Sequence, residues 1–258
     1  MKILRTIAEL LSRRKVIKRK ITVGGKSIPL LVTPDAQLKY LKLGAGAFDQ
    51  DLIDIAEEYL KENCNVWDVG ANVGVFTFAA SSVAHKGTVV SIEADIWLAN
   101  ILRKTAMFRE YSNNAIYVLP VAISNENSIA SFMVAARGRA SNTLEAAGGR
   151  SQMGGVREKQ YVPTITLDTL LNTFPPPDFV KIDVEGAEYM VLQGATSVIN
   201  DIRPKFYVEV GSNVSDQILK IFQSAGYTAY DPHGNKLIDN CTHNTFFFPE
   251  EDEKILME

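Results

Sequence analysis

The chain has 258 residues, 46% hydrophobic and 22% charged, with a formal net charge of −3 at pH 7. That is enough for one large domain with a full core, and it lacks the overall basic field that draws proteins to nucleic acid. Its two cysteines, Cys64 and Cys241, belong to no CxxC or Cys/His cluster, no apolar run reaches membrane-span length, and the start lacks a secretory signal's apolar core, so a cytoplasmic protein without structural zinc or disulfides is expected.

Residues 1–20 hold Lys2, Arg5, Arg13, Arg14, Lys15, Lys18, Arg19 and Lys20 against Glu9 alone, with Ile3, Leu4, Ile7, Leu10 and Leu11 at helical spacing. This reads as a basic amphipathic helix. It suits an anionic membrane surface, a partner or a second copy of the chain, or more plainly a solvated cap on the domain. Ile21 to Thr33 alternates around Gly24-Gly25 and predicts a hairpin. Together these make an N-terminal extension over 1–48, ahead of a main domain over 49–258. Asp49 to Glu62 predicts an amphipathic helix.

From Val66 the pattern alternates strand and helix. Strands are predicted at 66–69, 88–92, 115–121, 179–182 and 206–210, with helices at 73–83, 96–111, 186–193 and 215–225. Two last strands, 228–230 and 245–248, have no helix between them. The rhythm means an α/β fold, a mostly parallel sheet with helices on both faces and an antiparallel last strand. Residues 124–177 interrupt it. That stretch is too long for an ordinary loop and predicts an insertion holding short strands, a lid or a substrate-facing element.

In such a sheet, ligands bind beyond the carboxyl ends of the strands. The first such end reads Asp68-Val69-Gly70-Ala71-Asn72-Val73-Gly74. Its glycines are expected to let the backbone approach a ligand, and the following helix aims its N–H groups there. The spacing is neither GxGxxG nor a P-loop, and an acid at Asp68 suits an ammonium group better than a pyrophosphate. Glu93 closes the second strand about 20 residues on, where a carboxylate can accept both hydroxyls of a ribose. Together the two features favour S-adenosylmethionine over a dinucleotide. A third cluster, Lys181-Ile182-Asp183-Val184-Glu185-Gly186-Ala187-Glu188, ends the fourth strand. Asp183 is expected to face the cleft, and Glu185 and Glu188 to fall in the next helix's first turn. Glu209 ends the fifth strand near the same edge.

These segments, with Ser91-Ile92-Glu93-Ala94 and Thr166-Leu167-Asp168-Thr169-Leu170-Leu171, resemble the FkbM-type methyltransferase family over about residues 45 to 212. Asn142-Thr143-Leu144 also fits. The resemblance implies a seven-stranded Rossmann-like fold, S-adenosylmethionine as donor, and O-methylation of a hydroxyl on a sugar, glycan or secondary metabolite. The cofactor set is then Asp68, Gly70, Asn72, Gly74, Glu93, Ala94, Ala122 and Asp183. Two positions depart from the family. Ala94-Asp95 follows Glu93 where a proline is frequent, and Val210-Gly211-Ser212 follows Glu209 where a histidine is common. Residues 1–44 and the 124–177 insertion carry little family signal, so acceptor choice is expected there.

The donor is already activated, so the enzyme mainly orients two reactants and supplies a base for the hydroxyl proton. Asp183 or Glu185 is expected to be that base, supported by Lys181 or Glu209, with His243 and His233 ranked behind and His85 on the surface. Asp183, Glu185 and Glu209 form no clear octahedral set, so no metal is expected. An NAD-dependent oxidoreductase would need GxGxxG, which is absent. A non-catalytic partner-binding module would have lost the loop glycines or Glu93, which are present. A nucleic-acid methyltransferase would place Asn/Asp-Pro-Pro-aromatic where Asp183-Val184-Glu185-Gly186 stands. The partner is therefore expected to be a small-molecule or glycan acceptor, with no nucleic acid.

Overall fold

The computed structural model describes residues 9, 11–44, 46–147 and 155–252. Its first strands, β1 (Ile17–Val23) and β2 (Lys26–Val32), form an antiparallel hairpin that turns at Gly24-Gly25, both at positive φ. The helix expected over residues 1–20 is cut short: Glu9, Leu11 and Ser12 are helical, and a turn follows at Arg13-Arg14. Residues 1–8 and 10 lie outside the described residues, and from Ile17 the chain is extended. The physical reason is periodicity: Ile21 and Val23 are buried while Lys18, Lys20 and Thr22 face outward, an alternation of two that a strand satisfies. Lys18 lies 4.5 Å from the Phe108 ring centre and Arg19 donates to the Tyr40 carbonyl, so two of the basic side chains are held by the protein itself.

After helix α1 (Gln50–Tyr59), the units β3 (Val66–Val69), α2 (Val75–Val83), β4 (Thr88–Ile92), α3 (Ile96–Ala106) and β5 (Ala115–Leu119) follow the expected alternation. The predicted third strand divides at Pro120. Proline has no N–H for the ladder, so β5 ends at Leu119, and after Pro120-Val121 the short β6 (Ala122–Ile123) pairs with a different sheet. That sheet is the insertion. It runs β6-β9-β7-β8, with β7 (Ser128–Ala135) and β9 (Val156–Ile165) as a long antiparallel pair and β8 (Thr143–Leu144) at its edge.

The chain then passes through α4 (Leu167–Leu170), β10 (Phe179–Ile182), α5 (Glu188–Gln193), β11 (Lys205–Glu209), α6 (Ser215–Ser224), β12 (Tyr227–Tyr230), β13 (Lys236–Leu237) and β14 (Asn244–Pro249). The main sheet has the order β13-β12-β14-β11-β10-β3-β4-β5. It is parallel from β11 to β5, and β14 is antiparallel to both of its neighbours. Seven strands are long; the short β13 at the edge is an eighth that periodicity missed.

The central strands are buried on both faces, so alternate residues feed two cores. Val66 and Phe179 pack with α1, α2, α3 and the β1–β2 hairpin. Trp67 and Val180 pack with α4, α5 and α6. The chain runs from β3 outward to β5, then returns to place β10 against β3. This reversal leaves a crevice at the carboxyl ends of β3 and β10, where an open α/β sheet binds its ligand.

Candidate functional site

The crevice is built by two tight turns that touch. Gly70 follows β3 at φ +79, and a Cβ there would lie 1.7 Å from the Asp183 carbonyl oxygen. The turns after β3 and β10 therefore close on each other only because residue 70 has no side chain. Gly74, at φ +90, meets Leu102 and Phe78 in the same way, so its missing Cβ serves the seating of α2 against α3. This corrects the expectation that both glycines make room for a ligand: Gly70 lines the cleft, whereas Gly74 packs beneath it.

The cleft itself is about 580 Å³ and open to solvent. Gly70, Asn72, Glu93, Ala94, Ala122 and Asp183 line it, which brings together six of the residues expected to bind the cofactor. Glu93 is buried at the end of β4. One of its carboxylate oxygens accepts the Asn72 N–H and the other the Asp95 N–H, each at 2.8 Å. Burial raises its pKa to about 7, against the pull of those two donors. The Asn72 side-chain oxygen is buried and meets no donor among the described residues. Asn72 also has φ +55, a left-handed conformation that asparagine tolerates better than most residues. Ile92, Leu98, Ile123 and Phe132 supply an apolar wall. This combination fits an adenosine: an apolar slot for the base, a carboxylate for the ribose, and an orphaned acceptor for a further donor.

Asp68 takes a different place from the one its sequence position suggested. It is wholly buried on β3, accepts the Thr77 hydroxyl at 2.6 Å and pairs with Lys181 at 3.2 Å. The two are directly registered neighbours on β3 and β10. Lys181 also lies 3.5 Å from Asp183. Burial alone would lower the Lys181 pKa, but Asp68 and Asp183 hold the ammonium charged, above its ordinary value. Asp68 is thus neutralised beneath the loop and presents no free charge to a ligand's ammonium. Lys181, expected as a catalytic group, is a buried strut between two carboxylates.

Asp183 lines the cleft and a smaller pocket of about 350 Å³ beside it, whose other wall includes Gln37, Tyr40 and Asp49. Glu185 also lines the cleft, but it precedes α5 at φ +56 and is not in that helix; Glu188 is the helix's first residue. Oxygens of Asp183, Glu185 and Glu209 lie within 4.8 Å of one another, closer than their sequence separation implied. Burial, then Asp183 and Glu185, push the Glu209 pKa up to about 8. His243, the residue before β14, brings its Nε2 to 3.4 Å from Glu209. An imidazole thus stands at the end of β11 although none follows Glu209 in sequence. His233 sits in the exposed turn after β12, two strands beyond Glu209, and His85 is exposed as expected.

Residues from the insertion complete the cleft and were not among those expected to line it. Arg139 and Asn142 line it and both reach the Asp95 carboxylate, with Asn142 at 2.8 Å. Asp95 caps α3 through the Trp97 and Leu98 N–H groups, and its own N–H holds Glu93. Two hints were available: Asn142-Thr143-Leu144, which fits the family pattern, and Asp95, an acid one residue before a predicted helix, which is a capping position.

Residues 68–229 match the methyltransferase FkbM domain family. The hexuronic acid methyltransferase AglP of Haloferax volcanii is 26% identical over 159 residues, 60% of this chain. The match spans 59% of that relative's length. Among solved structures, methyltransferase FkbM from Methylobacillus flagellatus is similar with a TM-score of 0.46 at 16% identity, covering 81% of this chain and 47% of that one. A SAM-dependent O-methyltransferase from Thermotoga maritima is similar with a TM-score of 0.45 at 12% identity, covering 89% of this chain and 76% of the other. With well over half of its length matched, from the acid of the glycine loop into β12, the chain belongs to the methyltransferase FkbM domain family.

Proposed function

We propose that the protein is an S-adenosylmethionine-dependent O-methyltransferase that acts on a hydroxyl of a sugar or glycan. The observation that carries this reading is Glu93, a buried carboxylate at the end of β4, facing a turn too tight for any side chain at Gly70. Two oxygens at this position accept the two ribose hydroxyls, and Ile92, Leu98 and Phe132 shed water from the adenine. The Asn72 side-chain oxygen takes one donor from the ligand.

When bound, S-adenosylmethionine supplies a methyl group already activated on a sulfonium. The chain's own task is to hold the acceptor oxygen in line with that methyl and to receive its proton. Asp183 serves as the proton acceptor, held between Lys181 and the cleft. Lys181 fixes the Asp183 carboxylate in place. Glu185 and Glu209 crowd the same space, and their mutual repulsion favours a proton entering the cluster.

A sugar acceptor is favoured by the similarity to a hexuronic acid methyltransferase over 60% of the chain. Calorimetry with S-adenosylmethionine, S-adenosylhomocysteine and NAD tests the reading. Saturable binding of both sulfur nucleosides and none of NAD is expected. Failure of the methyl donor to bind, or preferential binding of NAD, sinks it.

A further inference from the structure

We infer that the groove between the N-terminal segment and the insertion is the acceptor site, and that it takes a saccharide bearing a carboxylate, with Arg13 receiving that carboxylate. The inference rests on the methyltransferase reading above and extends it to the second substrate.

Position comes first. The groove has a volume of about 1020 Å³, open to solvent, and shares Ala140 and Glu185 with the cofactor cleft. It shares Gln37 with the small pocket that Asp183 lines. It therefore borders both spaces that meet at Asp183. Another cavity near the cleft, against Trp97 and Pro120, shares only Arg139 with it and reaches neither Asp183 nor Glu185.

The groove is also preformed. One wall comes from residues 12–13 and 34–39, the other from 136–141. Asp35 joins the two. Its carbonyl accepts the Arg139 N–H at 2.9 Å, and its buried carboxylate takes the guanidinium groups of Arg139 and Arg157 and the Arg14 N–H. Arg14 sits at φ +58, so the turn that carries Arg13 is fixed in a conformation most residues avoid.

The chemistry of the lining then selects the ligand. No aromatic side chain lines the groove among the described residues, so a flat aromatic acceptor finds nothing to stack on. Planar polar groups do line it, and these match the paired hydroxyls of a sugar. The Gln37 side-chain oxygen is buried and meets no donor among the described residues, so a ligand hydroxyl would satisfy it. The cations differ in what they have left to offer. Arg137 is held by Glu9 through two hydrogen bonds, and Lys39 is paired with Asp49. Arg13 is exposed and has no ion-pair partner among the described residues. A guanidinium in that state binds a carboxylate in fork geometry. A sugar acid with its carboxylate on Arg13 directs its hydroxyls inward, toward Gln37 and Glu185, where the methyl is delivered.

The test uses methyl β-D-glucuronide and methyl β-D-glucoside, which differ only at C6, titrated into the full chain saturated with S-adenosylhomocysteine and followed by ligand-observed NMR. The glucuronide should bind at least tenfold more tightly than the glucoside. Arg13→Gln should bring it down to the glucoside's affinity, and Arg13→Glu below it, with S-adenosylhomocysteine binding unchanged in both. Equal binding of the two sugars, no saturable binding of either, or wild-type glucuronide affinity in Arg13→Gln overturns the assignment while leaving the methyltransferase reading intact. Failure of S-adenosylhomocysteine to bind the wild-type chain overturns both.

Discussion

Gly70→Ala tests whether the two turns of the crevice must touch. Two costs are combined at this position. The left-handed backbone, φ +79, is strained for any side chain, at about 1–2 kcal/mol. The new methyl would also lie 1.7 Å from the Asp183 carbonyl oxygen and 2.7 Å from its carbon, where ordinary contact begins at 3.4 Å. The obstacle is backbone held between β3 and β10, so it cannot rotate aside as a flexible side chain would. Overpacking of this kind adds about 1–3 kcal/mol, for a total of about 2–5 kcal/mol.

Gly25→Ala is the matched control, because Gly25 has φ +74 and nothing within 4 Å of its Cβ position. It carries the backbone strain without the collision. In thermal denaturation, at about 2–4 °C per kcal/mol for a chain of this size, Gly25→Ala should lower Tm by about 2–8 °C and Gly70→Ala by clearly more. Displacement of the Gly70 turn and the Asp183 backbone, which meet at the floor of the cleft, should also weaken S-adenosylhomocysteine binding in Gly70→Ala by about tenfold or more, since misplacement by about an ångström is already costly in a preorganised site. Equal Tm values for the two variants, with cofactor binding intact in both, would show that the turns have room and that the packing account is wrong.

Further outcomes are expected at Glu93, Asp68, Asp183 and Glu209. Because burial holds the Glu93 pKa at about 7, and the ionised carboxylate is the better acceptor for ribose hydroxyls, S-adenosylhomocysteine should bind about tenfold more weakly at pH 6 than at pH 8; a flat profile removes Glu93 from the ribose site. The same raised pKa has a stability sign: the stabilisation is complete below the unfolded carboxyl value and is lost as pH rises through about 7, so the unliganded Tm should fall over that window. Asp68→Asn keeps the shape and an acceptor for Thr77 but strips Lys181 of its directly registered partner, and urea denaturation should show a loss of about 3 kcal/mol; a loss below about 0.5 kcal/mol would mean that Asp183 alone suffices. Asp183→Asn should cut turnover strongly with little change in cofactor affinity, and near wild-type turnover eliminates it as the base. Glu209→Gln removes a carboxylate that burial, then repulsion from Asp183 and Glu185, raises to about 8. It should therefore raise Tm relative to wild type above pH 8 and have little effect near pH 5, and a shift that is the same at both values contradicts the crowding of Asp183, Glu185 and Glu209.

The features legible from sequence are those whose chemistry is contiguous. A buried apolar run, a glycine turn and a helix start follow one another within residues 66–83, so the strand end and its loop could be located without tertiary information. Glu93 lies at the next strand end by the same local pattern, and both line the cleft. Pro120 was equally visible, but its effect depends on which strand lies alongside.

What local pattern could not supply is the partner of each charge. Asp68 looked available because nothing near it in sequence neutralises it; Lys181 does so from 113 residues away, through the register of β10 on β3. His243 reaches Glu209 only because β14 returns between β11 and β12. Arg139 and Asn142 join the cleft because the insertion folds back onto the cap of α3. The sequence by itself determined the α/β order, the glycine turn at the end of β3 and the carboxylate at the end of β4, since each is encoded within a single strand–turn–helix unit. The tertiary structure alone decided which carboxylates line the cleft and which are paired inside the protein, because Coulombic pairing depends on distance in space and not along the chain.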